Sequence, residues 1–223
     1  MGDLGTPAGL TAADLRAILD AMALDMQGHL EELRELDAAL GDGDLGITMR
    51  LASGAIAEAA AGQGEDVGMM LATLGISVNK VSPSTFGTLL ASAFMGAGAS
   101  VRGKSGVGLG DLMAMGSGAV EGVKQRGKAD VGDKTMLDAL VPAVAAFRGE
   151  IEASASAARA FEAAATAGEK GMEATTGMIA KFGRASWRRE DSVGVRDAGA
   201  AAMHFLIQSF ARSAAGYFPA SAD

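Results

Sequence analysis

Three carboxylates, Asp37, Asp42 and Asp44, fall within eight residues, the last two inside the run Gly41-Asp42-Gly43-Asp44-Leu45-Gly46. The glycines permit positive φ and a tight reversal, which can turn all three side chains inward. Converging anions repel one another unless a cation sits between them. The chain has no Cys and only two His, so the ligands at this turn are hard oxygens. Magnesium suits them, because it takes a few carboxylates and completes its shell with water and phosphate oxygens. The plain alternative is a solvated acidic turn, although loops in compact domains often carry function.

Two further groups could meet a polyphosphate. Ser82, Ser84, Thr85 and Thr88 surround Pro83 and Gly87 at the expected start of a helix, where hydroxyls and backbone amides suit phosphate but also serve ordinary capping. Gly132-Asp133-Lys134-Thr135 reads the same way, as the opening of another helix. Arg184 lies in a long loop facing Asp197; an Arg can clamp phosphate with two prongs, and a surface ion pair is its commoner use.

Three pattern matches fail on their context. Gly98 to Ser105 satisfies the phosphate-loop pattern, but that loop needs a buried strand before it and a helix after it. Here small-residue helix precedes and glycine-rich loop follows. Gly41 to Gly46 satisfies a dinucleotide pattern, again with no strand before it, and its two aspartates would repel a pyrophosphate laid on bare amides. As a calcium loop it lacks the closing Glu, since Ser53 stands at the twelfth position.

The composition narrows the class further. The net charge of −8 argues against a nucleic-acid binder that works by counterion release. With 49% hydrophobic but only 4% aromatic residues, the chain has material for a core but not for aromatic strands. Met1-Gly2-Asp3-Leu4-Gly5-Thr6 fits the myristoylation pattern, yet no basic patch follows to make a single acyl chain an effective anchor. The uncharged stretch Val81 to Val101 is broken by Pro83 and by hydroxyls, which disfavours a membrane span. These features predict a soluble, cytoplasmic protein with no membrane partner, folded as one domain over residues 1–223.

The elements that must position these residues read as helices. Thr11 predicts an N-cap with Asp14 behind it. Leu15, Ile18, Leu19, Met22, Met26, Leu30 and Leu33 then form a helical stripe, predicting one helix to about Gly41. Further helices are predicted from Gly46 to about Ala60, Asp66 to Val78, Phe86 to Ala97, Asp111 to Gln125 and Asp133 to Phe147, with a bend at Pro142. A long Ala-rich helix from Ile151 to Lys181, interrupted at Gly168 and Gly171, and a last one from Ala200 to Ala215 complete the set. That makes eight helices and no strand, joined by loops short enough to set neighbours antiparallel.

LDAALGDGDLGITM (Leu36 to Met49), RGKADVGDKTMLDAL (Arg126 to Leu140), and GRASW followed by VGVRDAG (within Gly183 to Gly199) resemble the nucleotide-binding L subunit of dihydroxyacetone kinases. The resemblance covers nearly the whole chain. It implies an all-α, eight-helix, antiparallel up-and-down barrel with ADP or ATP across the loops at one end, held through two magnesium ions. Carried onto this chain, it makes Asp37, Asp42 and Asp44 the metal ligands. Leu45, Gly46, Thr48, Val81 and Ser82 would lie at the phosphates, and Gly127, Met136, Arg184, Asp197 and Gly199 at the adenine and ribose. It further implies a separate K-type subunit holding a short ketose, and in some members a phosphorelay protein as donor. In this chain Leu45 and Val195 stand where the family usually has His, and Ser82-Pro83-Ser84-Thr85 stands for SGPL. Those exchanges also open a second reading, a non-catalytic nucleotide-binding module that regulates a protein partner.

Overall fold

A computed structural model of the chain describes residues 9–60 and 64–218. The acylation pattern at residues 1–6 lies outside the described residues. The helices are α1 (Ala12–Asp25), α2 (Leu30–Leu40), α3 (Leu45–Ala60), α4 (Val67–Val81), α5 (Thr85–Ser100), α6 (Leu109–Gly127), α7 (Leu137–Glu152), α8 (Ala157–Ala174) and α9 (Ala198–Ala214). The 3₁₀ turn Met26–His29 joins α1 to α2, so the predicted first helix is one rod with a break. The architecture is therefore the expected eight-helix antiparallel barrel. The rod made of α1 and α2 packs on α3, each later helix packs on the next in sequence, and α9 closes the ring against α1.

The rods form for the reasons read in the sequence. Thr11 and Asp14 make a reciprocal capping box at the start of α1, and Leu15, Ile18, Leu19 and Met22 are buried along its inner face. Small residues set the spacing elsewhere. On α5 and α6, Gly96 and Gly118 lie so close that a Cβ on either would collide with the other's carbonyl. Inside the ring an apolar cavity of about 220 Å³ remains among Leu19, Met22, Leu90, Phe94, Phe161 and Leu206.

Three expectations are corrected. The helix predicted from Asp133 starts at Leu137 and runs to Glu152, because residues 130–136 form a turn whose amides are taken by Asp133 and Asp138. The predicted rod from Ile151 to Lys181 is two elements, divided where Ser154 takes φ 59° and Ser156 caps α8. Gly168 and Gly171 lie inside α8 and do not break it; Gly171 lets the backbone of α8 approach the Asp138 carbonyl on α7. A short antiparallel pair, β1 (Leu10–Thr11) with β2 (Gly106–Val107), also forms where only loop was expected. No described helix is long and apolar enough to cross a membrane.

Candidate functional site

The up-and-down path brings the loops 41–44, 82–84, 128–136 and 175–197 to one end, together with the N-termini of α3, α5, α7 and α9. Four helix N-termini facing one space favour an anion there. Between them lies a cleft of about 780 Å³, of a size that accepts a small ligand.

The acidic turn forms one rim. Asp37, near the end of α2, accepts hydrogen bonds from the amides of Asp44 (2.9 Å) and Leu45 (3.4 Å), which folds the turn back on itself. Gly43 supplies the positive φ, 74°. Each of the three aspartates then offers a carboxylate oxygen within 4.8 Å of the others, a grouping that could hold a metal ion. Partial burial, with Asp42 and Asp37 beside it, raises the pKa of Asp44, and Arg184 offsets only part of this. Arg184 does not meet Asp197 as the sequence suggested. Its guanidinium pairs with Asp42 at 2.7 Å and approaches Asp44 at 3.8 Å.

The opposite rim is hydroxyl-lined. Ser84 caps α5 by accepting from the Gly87 amide at 3.0 Å, and Thr48 on α3 donates to Ser84 at 3.3 Å. Ser82 is 2% exposed, and its Oγ has no hydrogen-bond partner among the described residues. Gly87 packs directly on it, leaving no space there for a Cβ. A buried hydroxyl without a partner is costly unless something meets it; Ser82 itself lies behind the residues Pro83, Ser84 and Thr85 that line the cleft.

The third wall is α9 with the loops beside it. Asp197 caps α9 through the Ala200 amide at 2.7 Å. Burial pushes its pKa up to about 7; the Ala200 and Gly199 amides and the Lys134 ammonium oppose the shift, and Asp138 adds to it. Of the residues singled out from sequence, Asp37, Asp44, Leu45, Met136, Arg184, Asp197 and Gly199 line the cleft. Asp42 reaches it through the acidic cluster, and Thr48 through Ser84. Gly46 sits behind, where a Cβ would lie 2.5 Å from the Leu30 carbonyl. Gly127 sits behind Leu89, a lining residue. Val81 ends α4 half-exposed. Phe86, Leu89 and Phe182 also wall the cleft, and as isolated apolar or aromatic residues they give no chemical signal in sequence. Trp187 in the GRASW run and Lys134 in the run Gly132 to Thr135 line it too, although neither pattern says that the side chain reaches the cleft.

A helical barrel thus gathers at one mouth a carboxylate cluster that could hold a cation and four helix N-termini that favour an anion. Residues 39–212 match the DAK2 domain, and the chain belongs to that family. It is 34% identical over 185 residues to the ADP-binding subunit DhaL of the PEP-dependent dihydroxyacetone kinase of Escherichia coli, covering 82% of this chain and 88% of that one. The corresponding subunit of a second such kinase, from Listeria innocua, is 31% identical over 85% of this chain and 89% of its own length. D-erythrulose kinase of Mycolicibacterium smegmatis is 33% identical over 95% of this chain, which spans 37% of that protein. The fold matches the crystal structure of Citrobacter freundii dihydroxyacetone kinase in complex with AMP-PNP and Mg2+, with a TM-score of 0.71 at 24% identity, over 96% of this chain and 37% of that one.

Proposed function

We propose that this chain is the nucleotide-binding subunit of a kinase for dihydroxyacetone or a related short ketose, working with a separate K-type subunit that holds the sugar. The observation that carries the reading is the set of three aspartate oxygens within 4.8 Å of one another at the mouth of the cleft. Asp37, Asp42 and Asp44 would hold magnesium, two ions if the family pattern applies. Ser82, Thr48 and the amides of Leu45 and Gly46 would face the phosphates. Met136, Asp197, Gly199 and, behind them, Gly127 would face the base and ribose of ADP or ATP, and Val81 flanks Ser82. Bound magnesium would neutralise phosphate charge, the main requirement of phosphoryl transfer.

The chain's own residues have supporting tasks. Asp37 spends one oxygen on the Asp44 and Leu45 amides, so it sets the shape of the turn as well as its charge. Arg184 balances the aspartates and would meet the nucleotide beside them, where an Arg can also clamp phosphate. The relatives named as kinases weigh against a purely regulatory role. In the phosphorelay variant of this function a donor protein would recharge bound ADP.

The test is calorimetric titration with ADP, with and without magnesium, followed by mixing with a K-type subunit, a phosphate donor and short ketoses. Magnesium-dependent ADP binding and formation of a sugar phosphate are expected. Tight nucleotide binding without turnover on any partner would remove the kinase reading, and absence of magnesium-dependent binding would remove the site.

A further inference from the structure

Lys134 belongs to a segment that the acidic turn does not use, and among the described residues it is the largest side chain buried almost completely, at 1% exposure. Its Nζ donates to three carbonyl oxygens, of Ser192 at 2.6 Å, Val195 at 2.7 Å and Met178 at 3.2 Å. An ammonium group has three protons to give, so its capacity is used in full. All three acceptors lie in one segment, residues 175–197, which leaves α8 and returns to α9.

The turn that carries Lys134 is itself fixed from α7. The Asp138 carboxylate, 2% exposed, accepts from the amides of Gly132 at 2.6 Å and Thr135 at 2.7 Å. Lys134 is held at φ 61°, a left-handed conformation that non-glycine residues seldom adopt without support. Beside it, Lys181 pairs with Asp133 at 2.7 Å. One side is thus a rigid clamp. The segment it grips contains only single 3₁₀ turns and, within residues 175–197, buries only Thr175, Ala180 and Ser192. A segment with so few buried contacts is the kind that opens locally. Burying an ammonium is costly unless it is fully bonded, so what this one secures is the course of that backbone.

The segment carries Arg184, which reaches the acidic turn, and Ala185, Ser186 and Trp187, which wall the cleft. We propose that Lys134 is a positioning residue for the nucleotide site, acting through the backbone of residues 178–195 to hold Arg184 over the aspartates and Trp187 along the cleft. The proposal rests on the nucleotide reading above. Without the ammonium the barrel keeps its fold, the segment spends less time in place, and the affinity for magnesium–ADP falls in proportion.

The chain supplies its own reporter, because Trp187 is its single Trp. The full chain carrying Lys134→Met is compared with the unaltered protein by far-ultraviolet circular dichroism, by Trp anisotropy without ligand, and by calorimetric titration with magnesium and ADP. A second variant, Lys134→Cys, introduces the chain's only thiol. It is alkylated in denaturant with 2-bromoethylamine, which rebuilds a primary amine of nearly lysine length, or with iodoacetamide, which leaves a neutral group, and is then refolded. The expected result is intact helicity throughout, lower Trp anisotropy and about tenfold weaker binding in the neutral variants, and recovery of both in the aminoethylated protein. Unchanged anisotropy and affinity in Lys134→Met would overturn the proposal. So would collapse of the whole barrel in the neutral variants, or failure of the aminoethylated protein to recover. If the unaltered protein itself ignores magnesium–ADP, the nucleotide reading falls, while the anisotropy still decides whether Lys134 holds the segment.

Discussion

The two ends of the barrel use the same materials and come to opposite results. At the end away from the cleft, Asp66 accepts from the amides of Met69 at 3.0 Å and Gly103 at 3.1 Å. Lys104 pairs with Asp111 at 2.6 Å, and Asp111 also takes the Gly108 amide. The pKa values of both acids are lowered, Asp66 chiefly by the Met69 amide and Asp111 chiefly by Lys104. At the cleft, Asp44 and Asp197 have raised pKa values, chiefly through burial. Among the described residues, positive φ is also concentrated there: Gly43, Lys128, Gly132, Lys134, Gly183, Arg189 and Gly194 lie at that end, while only Gly103 and Ser154 lie at the other. Left-handed backbone at Lys128, Lys134 and Arg189 and the raised pKa values of Asp44 and Asp197 fall at one end, although Asp130 and Asp133 there are balanced by Lys124 and Lys181; such features are what a working end is sought by. The phosphate-loop match from Gly98 to Ser105 sits at the other, where Lys104 is already paired.

The sharpest way to break this contrast is to remove a carboxylate at the cleft. Asp42→Asn should weaken magnesium–ADP binding by on the order of a hundredfold and leave the melting temperature nearly unchanged, as calorimetry can measure. Unchanged affinity would mean the three aspartates do not act on a metal.

A pH series on Asp197 probes the cost of the working end. Its carboxyl titrates at about 7 when folded and at about 3.9 when unfolded. The folded pKa is the higher one, so the stability from this group is complete below the unfolded value and is lost as pH rises through 7. Asn caps a helix as well as Asp. Asp197→Asn should therefore melt with the unaltered protein near pH 4 and about 4 °C or more above it at pH 8. A difference that shrinks with rising pH would contradict the burial argument.

The closed end should answer only in stability. Thr11→Ala removes the side-chain half of the capping box on α1 and should cost about 1 kcal/mol in denaturant unfolding with nucleotide affinity unaltered. Lys104→Met should do less, under about 1 kcal/mol, since the pair it breaks is half-exposed. Any loss of nucleotide binding in Lys104→Met would revive the phosphate-loop reading and erase the distinction between the ends.

Much of the fold was legible because its signals are local. The stripe from Leu15 to Leu33, the cap at Thr11 and the break at Pro83 each act within a turn or two of chain. Hydrophobic periodicity is silent where the backbone leaves the helical path for another reason: Asp138 takes the amides of Gly132 and Thr135 in a turn ahead of α7, and the 3₁₀ break at Met26–His29 interrupts no hydrophobic stripe. The same holds at the candidate site. Asp37, Asp42 and Asp44 advertise themselves by spacing alone. The sequence offers Arg184 but not its partner, since its ion pair with Asp42 joins residues 142 positions apart.

The order of residues was thus enough to specify eight amphipathic rods and an acidic reversal between two of them, because helical periodicity and turn chemistry are short-range. Which cation faces those acids, which hydroxyl is left buried without a partner, and that Lys134 is consumed by three carbonyls were decided only when the ring closed. Each depends on groups far apart in the chain meeting at a few ångströms, and nothing shorter than the packed barrel brings them there.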